Sequence, residues 1–162
     1  MIRAVTDSDA QAICDIYNYY ITDTVVTFEE EVVCAQEMCK RMAKVKSEGH
    51  PWLIAEDAQG NILGYAYATK WRQRFSFRFS VEVTVYLSLK YAGNGVGTKL
   101  YQKLFSQLKA NGIHSVIGGI TLPNQASVAI HEKFSMKKVA HFPEVGFKFD
   151  QWLDVGYWQG TL

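Results

Sequence analysis

Residues 86–98 read Tyr86-Leu87-Ser88-Leu89-Lys90-Tyr91-Ala92-Gly93-Asn94-Gly95-Val96-Gly97-Thr98, and resolving this stretch into elements decides the fold. The run before it, residues 79–89, alternates, with Val81, Val83, Val85 and Leu87 on one face and Glu82, Thr84 and Tyr86 on the other, as a strand does. After it, Leu100, Tyr101, Leu104, Phe105 and Leu108 recur at helical spacing and stop at Asn111-Gly112. The stretch is therefore a strand, a glycine-rich turn and a helix start in succession. Glycines let a backbone approach a ligand closely, and the free N–H groups of a first helical turn favour negative charge. A pyrophosphate suits such a turn.

Working outward, residues 2–5 read as a short strand, and Thr6 with Asp9 resembles a capping box that starts a helix. Ile13, Ile16, Tyr17 and Tyr20 give that helix one apolar stripe. Residues 34–48 predict a second helix, stopped by Gly49 and by Pro51. Residues 52–56 and 62–71 flank the turn-rich Asp57-Ala58-Gln59-Gly60-Asn61 and predict a β-hairpin. Beyond the glycine turn and its helix, residues 115–121 predict a strand and residues 125–134 a short helix. Residues 139–142 and 147–158 predict two closing strands. The order β-α-α-β-β-β-α-β-α-β-β, without repeat or linker, predicts one α/β domain over residues 1–162, a single mixed sheet with helices on both faces.

Composition narrows the function classes. Of the 162 residues 48% are hydrophobic and 20% charged, with three prolines, an ordinary globular composition rather than a disordered one. The net charge of +1 is spread along the chain, so nucleic acid is not an expected partner. Cys14, Cys34 and Cys39 form no CxxC pair, and no His and Cys cluster has metal-ligand spacing, so no metal is expected. No apolar run approaches the roughly 20 residues that span a bilayer, and Met1-Ile2-Arg3-Ala4 leads into a helical pattern without an apolar leader. The expected place is the cytoplasm, with free thiols and no membrane.

For the turn itself, a dinucleotide fingerprint G-x-G-x-x-G needs glycine where Thr98 stands and an acidic residue about 20 positions on. A P-loop needs G-x-x-x-x-G-K-[ST], which the residues before Lys99 do not supply. A tight strand-to-helix turn without a ligand stays open. Residues 81–100, however, resemble motif A of the GNAT acetyltransferases, with Ala92-Gly93-Asn94-Gly95-Val96-Gly97 in the place of the pyrophosphate loop. The resemblance extends over nearly the whole chain to the phosphinothricin and methionine sulfoximine acetyltransferase branch. It rests on Ile16-Tyr17-Asn18, Thr27-Phe28-Glu29, Val81-Glu82-x-x-Val85-Tyr86, Asn124-x-x-Ser127-x-x-x-His131-Glu132-Lys133 and Pro143-Glu144-Val145-Gly146-Phe147-Lys148-Phe149. Two places depart from the family's pattern. Ala92 replaces an Arg or Gln, removing a phosphate contact. Ser135-Met136 replaces Gly-Phe, at a cost of about 1 kcal/mol if residue 135 is left-handed.

The resemblance implies the GNAT fold, a mostly antiparallel sheet, with acetyl-CoA as co-substrate and a small-molecule amine as acceptor. It implies Glu82 as general base and His131, on its short helix, as a candidate proton donor. An exposed or ion-paired Glu82 and a purely structural His131 are the plain alternatives. For the cofactor it implies Val85, Tyr86, Leu87, Gly93, Asn94, Gly95, Val96, Gly97, Thr98, Asn124 and Ser127, with a backbone N–H near Val85 facing the thioester oxygen. For the acceptor it implies Phe28, Glu29, Lys70, Arg72, Arg74 and Thr84. Arg72 and Arg74 would hold a carboxylate by paired N–H bonds, unless they belong to a solvated loop. An amino-acid-like acceptor is expected, because a polyamine or aminoglycoside pocket should be acidic; a protein N-terminus as acceptor and a non-catalytic CoA-binding module are the rivals. The aromatic C-terminal region is a candidate homodimer interface.

Overall fold

The first helical region begins where the sequence places it: the Asp9 carboxylate accepts from the Thr6 amide at 2.8 Å and the Thr6 hydroxyl at 2.9 Å. Arg3 closes the other side of the same carboxylate at 2.7 and 2.8 Å. The guanidinium and these hydrogen bonds lower the Asp9 pKa to about 2. In the computed structural model, which describes residues 1–162, the elements are β1 (Ile2–Ala4), α1 (Ala10–Asp23), α2 (Ala35–Ser47), β2 (Trp52–Glu56), β3 (Ile62–Lys70), β4 (Ser80–Leu87), α3 (Val96–Ala110), β5 (Ser115–Leu122), α4 (Gln125–Lys133), β6 (Lys137–Lys148) and β7 (Gln151–Thr161).

The strands form one sheet in the order β1-β2-β3-β4-β5-β7-β6. Every neighbouring pair is antiparallel except β4 with β5, because α3 carries the chain across between them. The alternation of β4 sorts its side chains between two apolar layers. Val81 and Val83 are buried with Leu100, Leu104 and Leu108 of α3 on one face. Tyr86 packs on the other face beside Tyr17 of α1 and Tyr65 of β3, with ring centroids 5.0 and 5.7 Å away. Burying a leucine side chain contributes about 2 kcal/mol, so the α3 stripe alone holds that helix to the sheet. No helix is long and apolar enough to cross a membrane.

The closing strands depart from expectation. Phe147 does not begin the last strand; it is the penultimate residue of β6, where it pairs with Trp152, and the chain reverses at Phe149-Asp150. Both turn residues are left-handed, φ 51° and 56°, which suits the right-handed twist of a two-residue hairpin. No glycine marks that turn, whereas Pro143-Glu144 looks like one and is instead a bulge: the register slips between Phe142 and Gly146. Ser135, at the end of α4, is left-handed with φ 60°, as the sequence made costly.

Candidate active site

The strongest irregularity of the sheet lies at its centre. Strands β4 and β5 pair only at Ser80 with Ser115, Val81 with Val116 and Glu82 with Ile117. Beyond Glu82, β4 stays on β3 as far as Leu87 and β5 stays on β7 as far as Leu122, so a wedge opens between them. Two consecutive glycines on β5 sit at the fork. A Cβ on Gly118 would lie 2.3 Å from His131 Nε2, and one on Gly119 would lie 3.1 Å from the Tyr157 ring and 3.4 Å from Glu82 Oε1. Side chains from α4, β7 and β4 occupy the space that glycine leaves.

The hydrogen-bond phase of β4 follows from its ends. The Trp71 amide bonds the Ser80 carbonyl and the Ser88 amide bonds the Leu63 carbonyl, so the even-numbered residues of β4 face β3. Val85 and Leu87 therefore turn their amides toward the wedge. The Leu87 carbonyl on that side accepts from the Tyr20 hydroxyl at 2.6 Å.

The wedge continues into a cleft of about 1030 Å³ between the α1–α2 loop, β4, β5, α4 and the β6–β7 hairpin. Glu82 points into it beside Tyr157 and makes no side-chain hydrogen bond within the protein. Burial raises its pKa, and the Arg72 guanidinium at the mouth offsets part of that shift. Arg72 stacks on Trp71 with its guanidinium carbon 4.3 Å from the ring centroid.

On the far wall, buried His131 has Nδ1 2.7 Å from the Ser127 carbonyl and Nε2 3.1 Å from the Tyr101 hydroxyl. A carbonyl only accepts, so Nδ1 carries the proton and Nε2 accepts from Tyr101. Burial lowers the His131 pKa, keeping the ring neutral. Asn124 caps α4, its side-chain oxygen accepting from the Ser127 amide at 3.1 Å.

The glycine turn forms an open rim at the end of β4. Gly93 and Gly95 are left-handed, φ 81° and 75°. The first bond of α3 runs from the Lys99 amide to the Gly95 carbonyl, and the amides of Gly95, Val96, Gly97 and Thr98 have no backbone partner. Gly97 lets α3 settle on its neighbours, since a Cβ there would come within 3.0 Å of Ile130 and 3.5 Å of Leu87. A fork in a parallel strand pair, one unpartnered carboxylate within it and free helix amides beyond the end of β4 follow one another along the chain.

A family model described as an acetyltransferase (GNAT) domain matches residues 2–156. The chain belongs to the GNAT acetyltransferase family. It is similar to a phosphinothricin N-acetyltransferase of Streptomyces viridochromogenes, 37% identical over 98% of this chain and 85% of that one. An L-methionine sulfoximine/L-methionine sulfone acetyltransferase of Pseudomonas paraeruginosa is 34% identical over 99% of this chain and 94% of its own length. Among solved structures, a GNAT superfamily phosphinothricin acetyltransferase from Sinorhizobium meliloti in complex with acetyl-CoA superposes with a TM-score of 0.97, at 31% identity, covering 100% of this chain and 88% of that one. The protein is an acetyl-transferring enzyme.

In this acetyltransferase the fold brings Glu82, Thr84, Val85, Tyr86, Asn124, Ser127, His131, Phe28 and Arg72 to one cleft. Leu87 and residues 93–98 do not line it; they follow the cleft-lining Val85 and Tyr86 at and beyond the end of β4. Three residues expected at the acceptor are elsewhere. Glu29 is taken up by Arg41, at 2.7 and 2.9 Å, and by the Tyr17 hydroxyl. Lys70 lies at the end of β3, 3.7 Å from Glu48 of the α2 C-terminus. Arg74 is exposed at the head of a short 3-10 turn outside the cleft. Sequence reading passed over Tyr157, Trp71, Gly118 and Gly119. The paired glycines inside a strand were the available signal of a close approach.

Proposed function

We propose that this acetyltransferase moves the acetyl group of acetyl-CoA to the α-amine of a small amino-acid-like acceptor, of the phosphinothricin or methionine sulfoximine type, with Glu82 as general base. The observation that carries the reading is the Glu82 carboxylate, unpartnered in the fork and raised in pKa by burial. An amino-acid ammonium must lose a proton before it can attack, and a carboxylate made more basic by its surroundings is suited to accept it.

The residues fit acetyl-CoA. Four free amides at the head of α3 match a pyrophosphate, and the Val85 amide, turned into the wedge, can donate to a carbonyl oxygen as it gains charge. When bound, acetyl-CoA supplies an activated thioester. Asn124 keeps its side-chain nitrogen free for the cofactor because only its oxygen serves the α4 cap. His131, expected as a proton donor, is bonded at both nitrogens with its one N–H on the Ser127 carbonyl, which supports instead a role in orienting the Tyr101 hydroxyl. Arg72, with Phe28 and Thr84, is placed for the acceptor carboxylate. The exposed Phe142, Val145, Phe147 and Trp152 on the outer hairpin of the sheet support a homodimer, and three free cysteines support a reducing cytoplasm.

Thiol release from acetyl-CoA, followed with amino acids, their phosphinate and sulfoximine analogues and polyamines as acceptors, tests this reading. Turnover is expected with the amino-acid analogues. Turnover confined to polyamines, or absent with every amine, would overturn it.

A further inference from the structure

One buried charge in the molecule has no part in that chemistry. Lys148, the last residue of β6, has none of its surface exposed, although its sequence neighbours Phe147 and Phe149 are both exposed. Its ammonium donates to the Thr27 carbonyl at 2.8 Å and lies 5.0 Å from the centre of the Phe149 ring. Burial lowers its pKa, with Glu30 and Glu29 pulling the other way. A methionine would fill the same space without the cost of desolvating a charge, so the contact with Thr27 needs an explanation.

Thr27 starts the short strap that carries Phe28 over the cleft. The Thr27 hydroxyl is held by the Tyr17 hydroxyl at 2.8 Å. Glu29, on the other side of Phe28, is held by Arg41 and Tyr17. Both flanks of Phe28 are thus tied to the body of the protein while the residue itself stays 39% exposed. That ring sits in a slot made by Gly146, two residues before Lys148, where a Cβ would lie 2.1 Å from Phe28 Cε1. The β6 strand therefore both pins the strap, through Lys148, and seats its ring, through Gly146.

We propose that Lys148 is a positioning residue for acceptor selection: by holding the Thr27 carbonyl it fixes the Phe28 ring over Gly146 as a rigid wall that limits the size of the acceptor side chain. The proposal rests on the acceptor site assigned above. Loss of the latch leaves a buried carbonyl without its partner and frees the strap.

Lys148→Met keeps the stem and removes the donor. Its expected result is a KM for methionine sulfoximine raised about tenfold at nearly unchanged kcat, with the preference over a bulky acceptor such as tryptophan reduced by about the same factor. Acetyl-CoA affinity measured by calorimetry should not move. Amide hydrogen exchange of residues 26–30 should accelerate while that of β2 and β3 does not, a readout that needs no turnover. Gly146→Ala displaces the ring with the lysine in place and should weaken the same preference. Unchanged acceptor preference in both variants, or unchanged exchange of the strap in Lys148→Met, would overturn the proposal. A wild-type enzyme that acetylates no amine would instead overturn the assigned reaction, and the exchange measurement would still decide the latch.

Discussion

The two halves of the proposed site are built from different materials. The rim at residues 93–98 is main chain: two left-handed glycines and a row of helix amides with no backbone partner. The proposed acceptor wall is side chain: Phe28, with Thr27 and Glu29 tied down by Tyr17, Arg41 and Lys148 from α1, α2 and β6. A pyrophosphate is the same in every CoA, so a fixed backbone cradle, as proposed for this turn, would serve it. Acceptors differ in side chain, and a wall made of side chains can be changed by substitution without touching the cradle. Glu82 stands where the two meet.

Substitutions can break this comparison, and the largest effect belongs to the junction. Glu82→Gln keeps the shape and removes the basicity, so kcat near neutral pH should fall by roughly 10²- to 10⁴-fold. Because burial raises the Glu82 pKa, its deprotonated, active form is lost as pH falls through that raised value. The acid limb of the wild-type pH profile should then lie above the ordinary carboxylate range and vanish in the variant. Near wild-type kcat in Glu82→Gln, with chemistry rate-limiting, would remove Glu82 from the reaction.

On the cradle side, Gly95→Val forces a β-branched residue into φ 75° at an exposed position. The strain should shift the loop, so calorimetry should find acetyl-CoA bound about 30-fold more weakly with the far-UV spectrum unchanged. Equal affinity would mean that the rim is only a turn. On the wall side, Arg72→Ala should raise KM for an amino-acid acceptor about tenfold and leave an amide-blocked acceptor unaffected. Arg74→Ala, outside the cleft, should change neither; a loss equal to that of Arg72→Ala would put Arg74 in the acceptor site. Smallest of all, Ser135→Gly relieves a left-handed serine and should stabilise the fold by about 1 kcal/mol with activity unchanged, as a denaturant midpoint would show.

The same contrast explains what the sequence revealed. The strand, turn and helix of residues 79–108 follow from alternation, glycine and 3.6-residue spacing, all local signals, and the element order follows from similar ones. The acceptor wall does not. Glu29, Lys70 and Arg74 are polar residues in the right segments, but whether each meets the cleft depends on what else it can pair with. Arg41 and Glu48, 12 and 22 residues away, claim the first two. The β6–β7 turn was missed for a related reason: Phe149-Asp150 takes a conformation its residue types do not announce, while Pro143 announces a turn that packing converts to a bulge.

The three pairs that join β4 to β5 also make the sheet two plates, β1 to β4 and β5 to β7, meeting along a short seam. A ligand held in the wedge would touch both plates and so brace the molecule. Binding of that kind adds stability in proportion to the logarithm of ligand concentration. The cell's supply of cofactor then becomes a term in the protein's resistance to unfolding.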